Sequence, residues 1–359
     1  MTFFFFLPFL LLFVVFGVWT ERKVAGFIQD RYGPMHVGPI GLFQSVADLL
    51  KMLQKEDLVP KAADSFIFKL APLLIFISIF GGYSVLPLSY SISGAHVEPG
   101  IIFLLAFIAL DVIGILMAGW ASNNKYSLYG ALRSVSQMVS YEIPLTLSVL
   151  CVTVISQSVS LQEISALQGV RSPEPSPLLG LPFLGIDVNE IGGFLSWNIF
   201  RYPILIPVFI IFFIASLAEA NRAPFDLPES ESEIIGGYHT EYAGFRWGIV
   251  MLSEYGMMLL AAFLTTILFL GSWNTPFPNL GPLKLAEWTT GTSGSYIEII
   301  WGSFWLISKT LVIALLQMIV RWTYPRMRVD QLMSLGWKYL TPIGLILLFI
   351  SAVWKLLTI

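Results

Sequence analysis

The chain has a single cysteine, Cys151, only three histidines and few charges: 12% of its 359 residues are Asp, Glu, Lys or Arg. One cysteine inside an apolar run excludes a disulfide framework and any cysteine-ligated zinc or iron–sulfur site. His36, His96 and His239 are scattered through polar segments, and no two have the spacing that would let them share a metal on one helix face. A soluble domain carries about 25% charged residues, so a chain at 12% that is also 56% hydrophobic is an integral membrane protein. Its formal net charge of −3 gives no electrostatic reason to bind nucleic acid. No internal repeat is visible, which argues against a transporter built from two inverted halves.

What is present is apolar length. A spanning helix needs about 20 residues to cross about 30 Å of hydrocarbon. Eight stretches meet that need, near 2–20, 66–87, 100–120, 138–157, 202–220, 245–271, 298–321 and 338–357. The predicted fold class is therefore all-α: one polytopic membrane domain over 1–359 with about eight transmembrane helices. The first stretch has no basic leader and no small-residue cleavage site, so a retained helix is expected rather than a signal peptide. Fifteen of the twenty basic residues fall in alternate loops, which the positive-inside rule places in the cytoplasm or its equivalent, with both termini outside. Within the first of these loops, residues 42–55 repeat Leu42, Phe43, Val46, Leu50 and Leu53 at helical spacing, with Gln44, Asp48, Lys51 and Lys55 on the other side. That pattern predicts an amphipathic helix lying along the membrane.

The charges that remain are concentrated. The inside loop 219–245 holds Glu219, Asp226, Glu229, Glu231, Glu233 and Glu241 between two apolar helices. A charge at mid-membrane costs roughly 2.5–3.5 kcal/mol on insertion scales, so carboxylates in and beside such helices are functional candidates by default. Glu219 closes a helix, where the dipole opposes a negative charge, and Arg222 one turn on is its expected partner. Glu254 lies ten residues into the next helix with no basic residue within a turn, where desolvation favours the neutral acid. Glu142 reads as the start of the 138–157 helix, so a simple interaction with the helix dipole competes with a functional role. Asp226-Leu227-Pro228-Glu229 fits a capping box, which makes a structural role for Glu229 an alternative. On a helix Glu229 and Glu233 share a face while Glu231 points away. As a series, these carboxylates suit a hydrated proton path or a salt-bridged docking surface for a soluble partner. Asp111 and Lys309 lie inside helices and are candidates for a pair across the bundle.

Several of these stretches resemble one family. The run from Glu219 to Glu233, followed by Tyr238, Glu241 and Tyr242, is similar to the signature of the H-type membrane subunit of bacterial NADH:quinone oxidoreductase. The mitochondrial counterpart is NADH dehydrogenase subunit 1 of respiratory complex I. The likeness extends through Glu21-Arg22-Lys23-Val24, Gln44 to Lys51, Gly119 to Tyr126 and Gly130 to Arg133 with Gln137, Ser140, Tyr141 and Glu142. It ends with Arg321, Pro325-Arg326 and Asp330-Gln331-Leu332. The resemblance implies a subunit of a proton-pumping enzyme that has no redox centre and binds no cofactor or metal itself. FMN and iron–sulfur clusters would sit in partner subunits of a hydrophilic arm, and a quinone, ubiquinone or menaquinone, would be the substrate. It further implies a proton route through Glu142, Glu219, Glu229, Glu231, Glu233, Glu241 and Glu254. The quinone passage would be bordered by Arg22, Asp48, Lys51, Arg222 and Phe225. The expected partners are those arm subunits, neighbouring membrane subunits and lipid, with no nucleic acid. The expected location is a bacterial inner membrane, with the mitochondrial inner membrane as alternative. Asp111 stands where the family usually has a small or apolar residue, and segment 158–200 is longer than the family's, so neither receives a role by analogy. The alternatives are a related anchor in a ferredoxin-dependent or hydrogenase-type complex, and a proton-coupled secondary transporter. The plastid-type anchor carries Cys-Glu-Arg-Leu-Pro where this chain has Ala220-Asn221-Arg222-Ala223-Pro224, which favours the NADH type.

Overall fold

The computed structural model describes residues 2–95, 97–172, 177–180, 187–228, 231–279, 284–291 and 294–358. It is all-α, as expected, with no strand among the described residues beyond one isolated bridge from Pro177 to Asp187. Among the described residues nine of the longer helices build the bundle: α1 (Thr2–Ile28), α2 (Gln44–Gln54), α3 (Ser65–Tyr83), α4 (Gly100–Ala121) and α5 (Lys125–Ser156). They continue as α6 (Leu205–Glu219), α7 (Gly244–Phe269), α8 (Tyr296–Thr323) and α9 (Val329–Leu357). All but α2 and α6 are long and apolar enough to cross a membrane, so the chain is a multi-pass membrane protein.

Four helices depart from their apolar windows. α1 does not stop at Glu21 but carries that carboxylate, buried, on to Ile28, because distant arginines neutralise it inside the bundle. α5 starts at Lys125, where the Asn124 side chain caps it by accepting from the Tyr126 N–H at 2.9 Å. α9 likewise begins early, at Val329, through a short π-helical stretch at Leu335–Leu340. The opposite departure is α6, whose 15 residues rise only about 22 Å. Its apolar stretch ends at Glu219, after which Asn221 adopts a left-handed φ of 49° and the chain turns.

Packing centres on α7. From Tyr255 to Phe269 every residue of this helix is buried, as a helix apolar on all faces must be. Phe6 and Tyr83 press on Phe263, and the Tyr83 hydroxyl donates to the Gly256 carbonyl at 2.6 Å. One end of the bundle is then closed by contacts between chain-distant loops. Asp64 N–H donates to Ala121 O, Asn123 to Ala62 O, Arg246 pairs with Asp57 at 2.6 Å, and Arg326 with Asp226 at 2.9 Å. The acidic 219–245 loop lies at this end. At the other end the segment after α5 caps the carbonyls that finish α7, Gln168 donating to Ile267 and Asn198 to Leu268.

Candidate functional site

The acidic loop does not hang free. Glu233 pairs with Arg133 at 2.6 Å, and Glu241 accepts from the Asn124 amide, also at 2.6 Å, so both are tied to the first turns of α5. Ser127 of the same helix donates to the Tyr238 carbonyl, and the Tyr238 hydroxyl donates to Glu254 on α7 at 3.2 Å. Polar contacts therefore run from the bundle surface at Glu241 inward to Glu254. Gly130 is where this loop comes closest. A Cβ there would lie 2.7 Å from the Gly237 backbone, so only glycine lets α5 and the loop touch. Glu229 lies outside the described residues. Glu231 begins a helical turn, Glu231–Ile234.

At the inner end of this series is a charge cluster that sequence reasoning missed. Glu21 of α1 is 4% exposed and accepts from Arg222 at 3.0 Å, from Tyr255 at 2.5 Å and from Arg321. Arg222, equally buried, also lies over the Tyr255 ring at 4.2 Å. Burial opposes the Arg222 charge, but Glu21, with Tyr255 and Glu254, outweighs it and holds the guanidinium's pKa above its ordinary value. Its Nε and Nη2 are buried with no hydrogen-bond partner among the described residues. The signals for Glu21 are its place in a charged triplet that closes an apolar run and its membership of the family-like stretch Glu21-Arg22-Lys23-Val24. Its arginines lie 201 and 300 residues away, beyond any local pattern.

Arg222 is thus not the partner expected for Glu219. Glu219 is 4% exposed, its Oε2 has no hydrogen-bond partner among the described residues, and its electrostatic neighbours are Glu142 and Asp111. Glu142 is not at a helix start either. Because α5 begins at Lys125, it lies well inside the helix, and the dipole reading fails for it. Asp111 and Lys309 do not pair: Lys309 donates to the carbonyls of Leu270 (2.7 Å) and Asn274 (2.8 Å) and faces the Trp197 ring at 4.4 Å.

The remaining sequence-predicted residues fall in two places. Arg22, Asp48 and Lys51 share a surface pocket with Lys55, Tyr242 and Trp247, in which Asp48 accepts from Arg22 at 2.7 Å and from Gln44 at 3.1 Å. Behind them α2 leaves Val46, Leu49, Leu50 and Leu53 exposed along one side. Phe225 is buried against Tyr141, ring centroids 5.3 Å apart, one turn of chain beyond Arg222. Among the described residues no three His, Cys, Asp or Glu side chains come together as a metal site, and Cys151 is buried and free.

Comparison with known proteins shows the family of this all-α membrane chain. The family model described as NADH dehydrogenase matches residues 1–352. A protein of Cytophaga hutchinsonii, named as the second H-type subunit of NADH-quinone oxidoreductase, is 55% identical over 98% of this chain and 97% of its own length. The H-type subunits of Chlorobaculum parvum and a Geobacillus species are 45% and 43% identical, each over 95% of this chain and over 88% and 89% of their own lengths. These three bacterial relatives are all named as H-type subunits of NADH-quinone oxidoreductase, and the chain belongs to the NADH dehydrogenase family of membrane proteins.

Proposed function

We propose that this chain is the subunit of a proton-pumping NADH:quinone oxidoreductase that borders the quinone passage and links quinone reduction to proton movement. The observation that carries the reading is the series of carboxylates and their partners at one end of the bundle, from Glu241 and Glu233 through Glu254 to the buried Glu21–Arg222–Arg321 cluster. The chemistry fits. A quinone headgroup that gains two electrons also takes up two protons, which changes the charge beside any nearby carboxylate. Groups held in a dry, partly charged environment respond to that change and pass it on. Glu142, Glu219, Glu229, Glu231, Glu233, Glu241 and Glu254 form the proton route in this proposal. The two unsatisfied N–H positions of Arg222 suit an oxygen acceptor such as a quinone carbonyl. Arg22, Asp48, Lys51 and Phe225 border the passage and its mouth. The subunit itself performs no electron transfer. FMN and iron–sulfur clusters belong to a soluble arm docked on the 219–245 side, which faces the cytoplasm of a bacterial inner membrane.

Purification in mild detergent tests the assignment. A co-purifying arm that carries flavin and iron–sulfur clusters and oxidises NADH is the expected result. A hydrogenase arm, or no partner at all, would replace this reading with one of its alternatives. The passage has its own test. Val46→Trp and Leu50→Trp enlarge exposed side chains on α2, so turnover with long-tailed quinones should fall several-fold more than with short-tailed analogues. Equal slowing of both substrates would leave α2 as a lipid anchor only.

A further inference from the structure

Asp111 lies at the middle of α4, 4% exposed, and its Oδ1 has no hydrogen-bond partner among the described residues. An ionised carboxylate in such a place would leave that acceptor oxygen empty, a cost that unsatisfied buried polar groups avoid by taking up a proton or a water. The lysine available within the bundle, Lys309, is committed elsewhere, to Leu270 and Asn274. What lies near Asp111 is more acid: it acts electrostatically on Glu219, as does Glu142. α3, which packs on α4 through Leu74 and Ile75 beside Gly114, brings no compensating charge. Its Lys69 is exposed, and its Tyr83 hydroxyl is held by Gly256.

A second set of empty oxygens lies around Glu219. Gln137 of α5 donates its amide nitrogen to the Ala218 carbonyl at 2.7 Å, one residue before Glu219, while its own Oε1 is buried and unsatisfied. Glu219 Oε2 is unsatisfied as well. Gln137, Glu219 and Asp111 thus each present a buried acceptor oxygen, and no described donor serves them. Protons and one or more waters complete such a set, and nothing apolar can.

We infer that the buried Asp111 and Glu219, with the half-buried Glu142, form a store that holds at least one excess proton, and that Asp111 is a proton-bearing member of it. The inference rests on the proton route proposed above and adds a residue that the family resemblance does not assign. The step balances simply: the Asp111 carboxylic acid gives its proton, directly or through water, to the Glu219 carboxylate. Asp111 is then left as the anion until it is reprotonated.

The test uses the intact complex in vesicles, with infrared difference spectra of quinone reduction under isotope-labelled aspartate beside a count of protons moved per NADH. Asp111→Asn should assemble, lose an aspartate-derived carboxylic C=O band and translocate fewer protons. Asp111→Glu should restore translocation with a glutamate-derived band. A merely structural role would leave the spectrum unchanged. Glu219→Gln is the control that separates the two claims. If it stops pumping while Asp111→Asn keeps both the full aspartate signal and the full proton count, the Asp111 inference is overturned and the wider route stands. If Glu219→Gln and Asp111→Asn both pump fully, the route falls, and the inference with it.

Discussion

Replacing Glu21 by Gln is expected to weaken assembly of the subunit and to abolish most quinone turnover, with short-tailed and long-tailed substrates alike. Glu21 is one carboxylate serving two guanidiniums and a phenol in a space where all but Arg321 are nearly dry. Removing one partner of a buried ion pair costs roughly 3–5 kcal/mol, mainly because the charge left behind has no compensation. Here Arg222 is left behind, already with two unsatisfied nitrogens. Glutamine keeps the shape and could still accept one bond, so the loss would report charge rather than packing. The double variant Glu21→Gln with Arg222→Gln removes both members of the buried pair, leaves only the partly exposed Arg321, and should therefore recover part of the assembly without recovering turnover. The measurements are the yield of intact complex and its thermal inactivation midpoint, alongside NADH:quinone activity. Wild-type yield, midpoint and activity for Glu21→Gln would mean that the cluster contributes neither stability nor chemistry.

That cluster also marks the limit of what the chain reveals in one dimension. Apolar length is a local property, and α3 and α4 lie almost where their windows place them. The ends of helices are different when charges sit in them. Glu21 looks like the point where α1 leaves the membrane, yet the helix continues because its neutralising arginines arrive from the turn after α6 and from the end of α8. The same non-locality redirected Arg222 from Glu219, its neighbour in sequence, to Glu21. Asn124 was legible only as part of a family motif. As the cap that starts α5 it moves Glu142 from a helix end to a helix interior and removes the simplest structural account of that residue. α6 shows the complementary error. Its apolar window is long enough to span, but backbone turns at both ends trim the helix to 15 residues. The acidic loop announced itself by composition, whereas its attachment to α5 through Asn124, Ser127 and Arg133 depended on a tertiary approach permitted by Gly130.

Glu219→Gln and Glu254→Gln are expected to leave the complex assembled while quinone-linked turnover and proton translocation fall together. The reduction should be on the order of 10-fold or more, because positioned proton-transfer groups contribute about 10²–10⁴-fold. The two residues reach the same result by different routes. Glu219 ends α6, where the helix dipole opposes an anion, and its neighbours Glu142 and Asp111 are acids rather than cations. Glu254 takes a hydrogen bond from Tyr238 and lies in the field of Arg222, so it joins the loop series to the buried cluster. Glutamine retains volume and hydrogen-bonding capacity but cannot carry a proton, which makes it the substitution that isolates titration. Glu229→Gln should be milder if that residue caps a helix, since a lost cap costs about 1 kcal/mol and no proton-carrying step. Coupling itself is read from the ratio of protons moved to NADH oxidised in reconstituted vesicles. A fall in turnover at a constant ratio would place the residue on the quinone side of the route, and a falling ratio on the proton side. Full turnover and full pumping in both variants would reduce Glu219 and Glu254 to structural charges, because no obligatory proton carrier survives the loss of its titratable group.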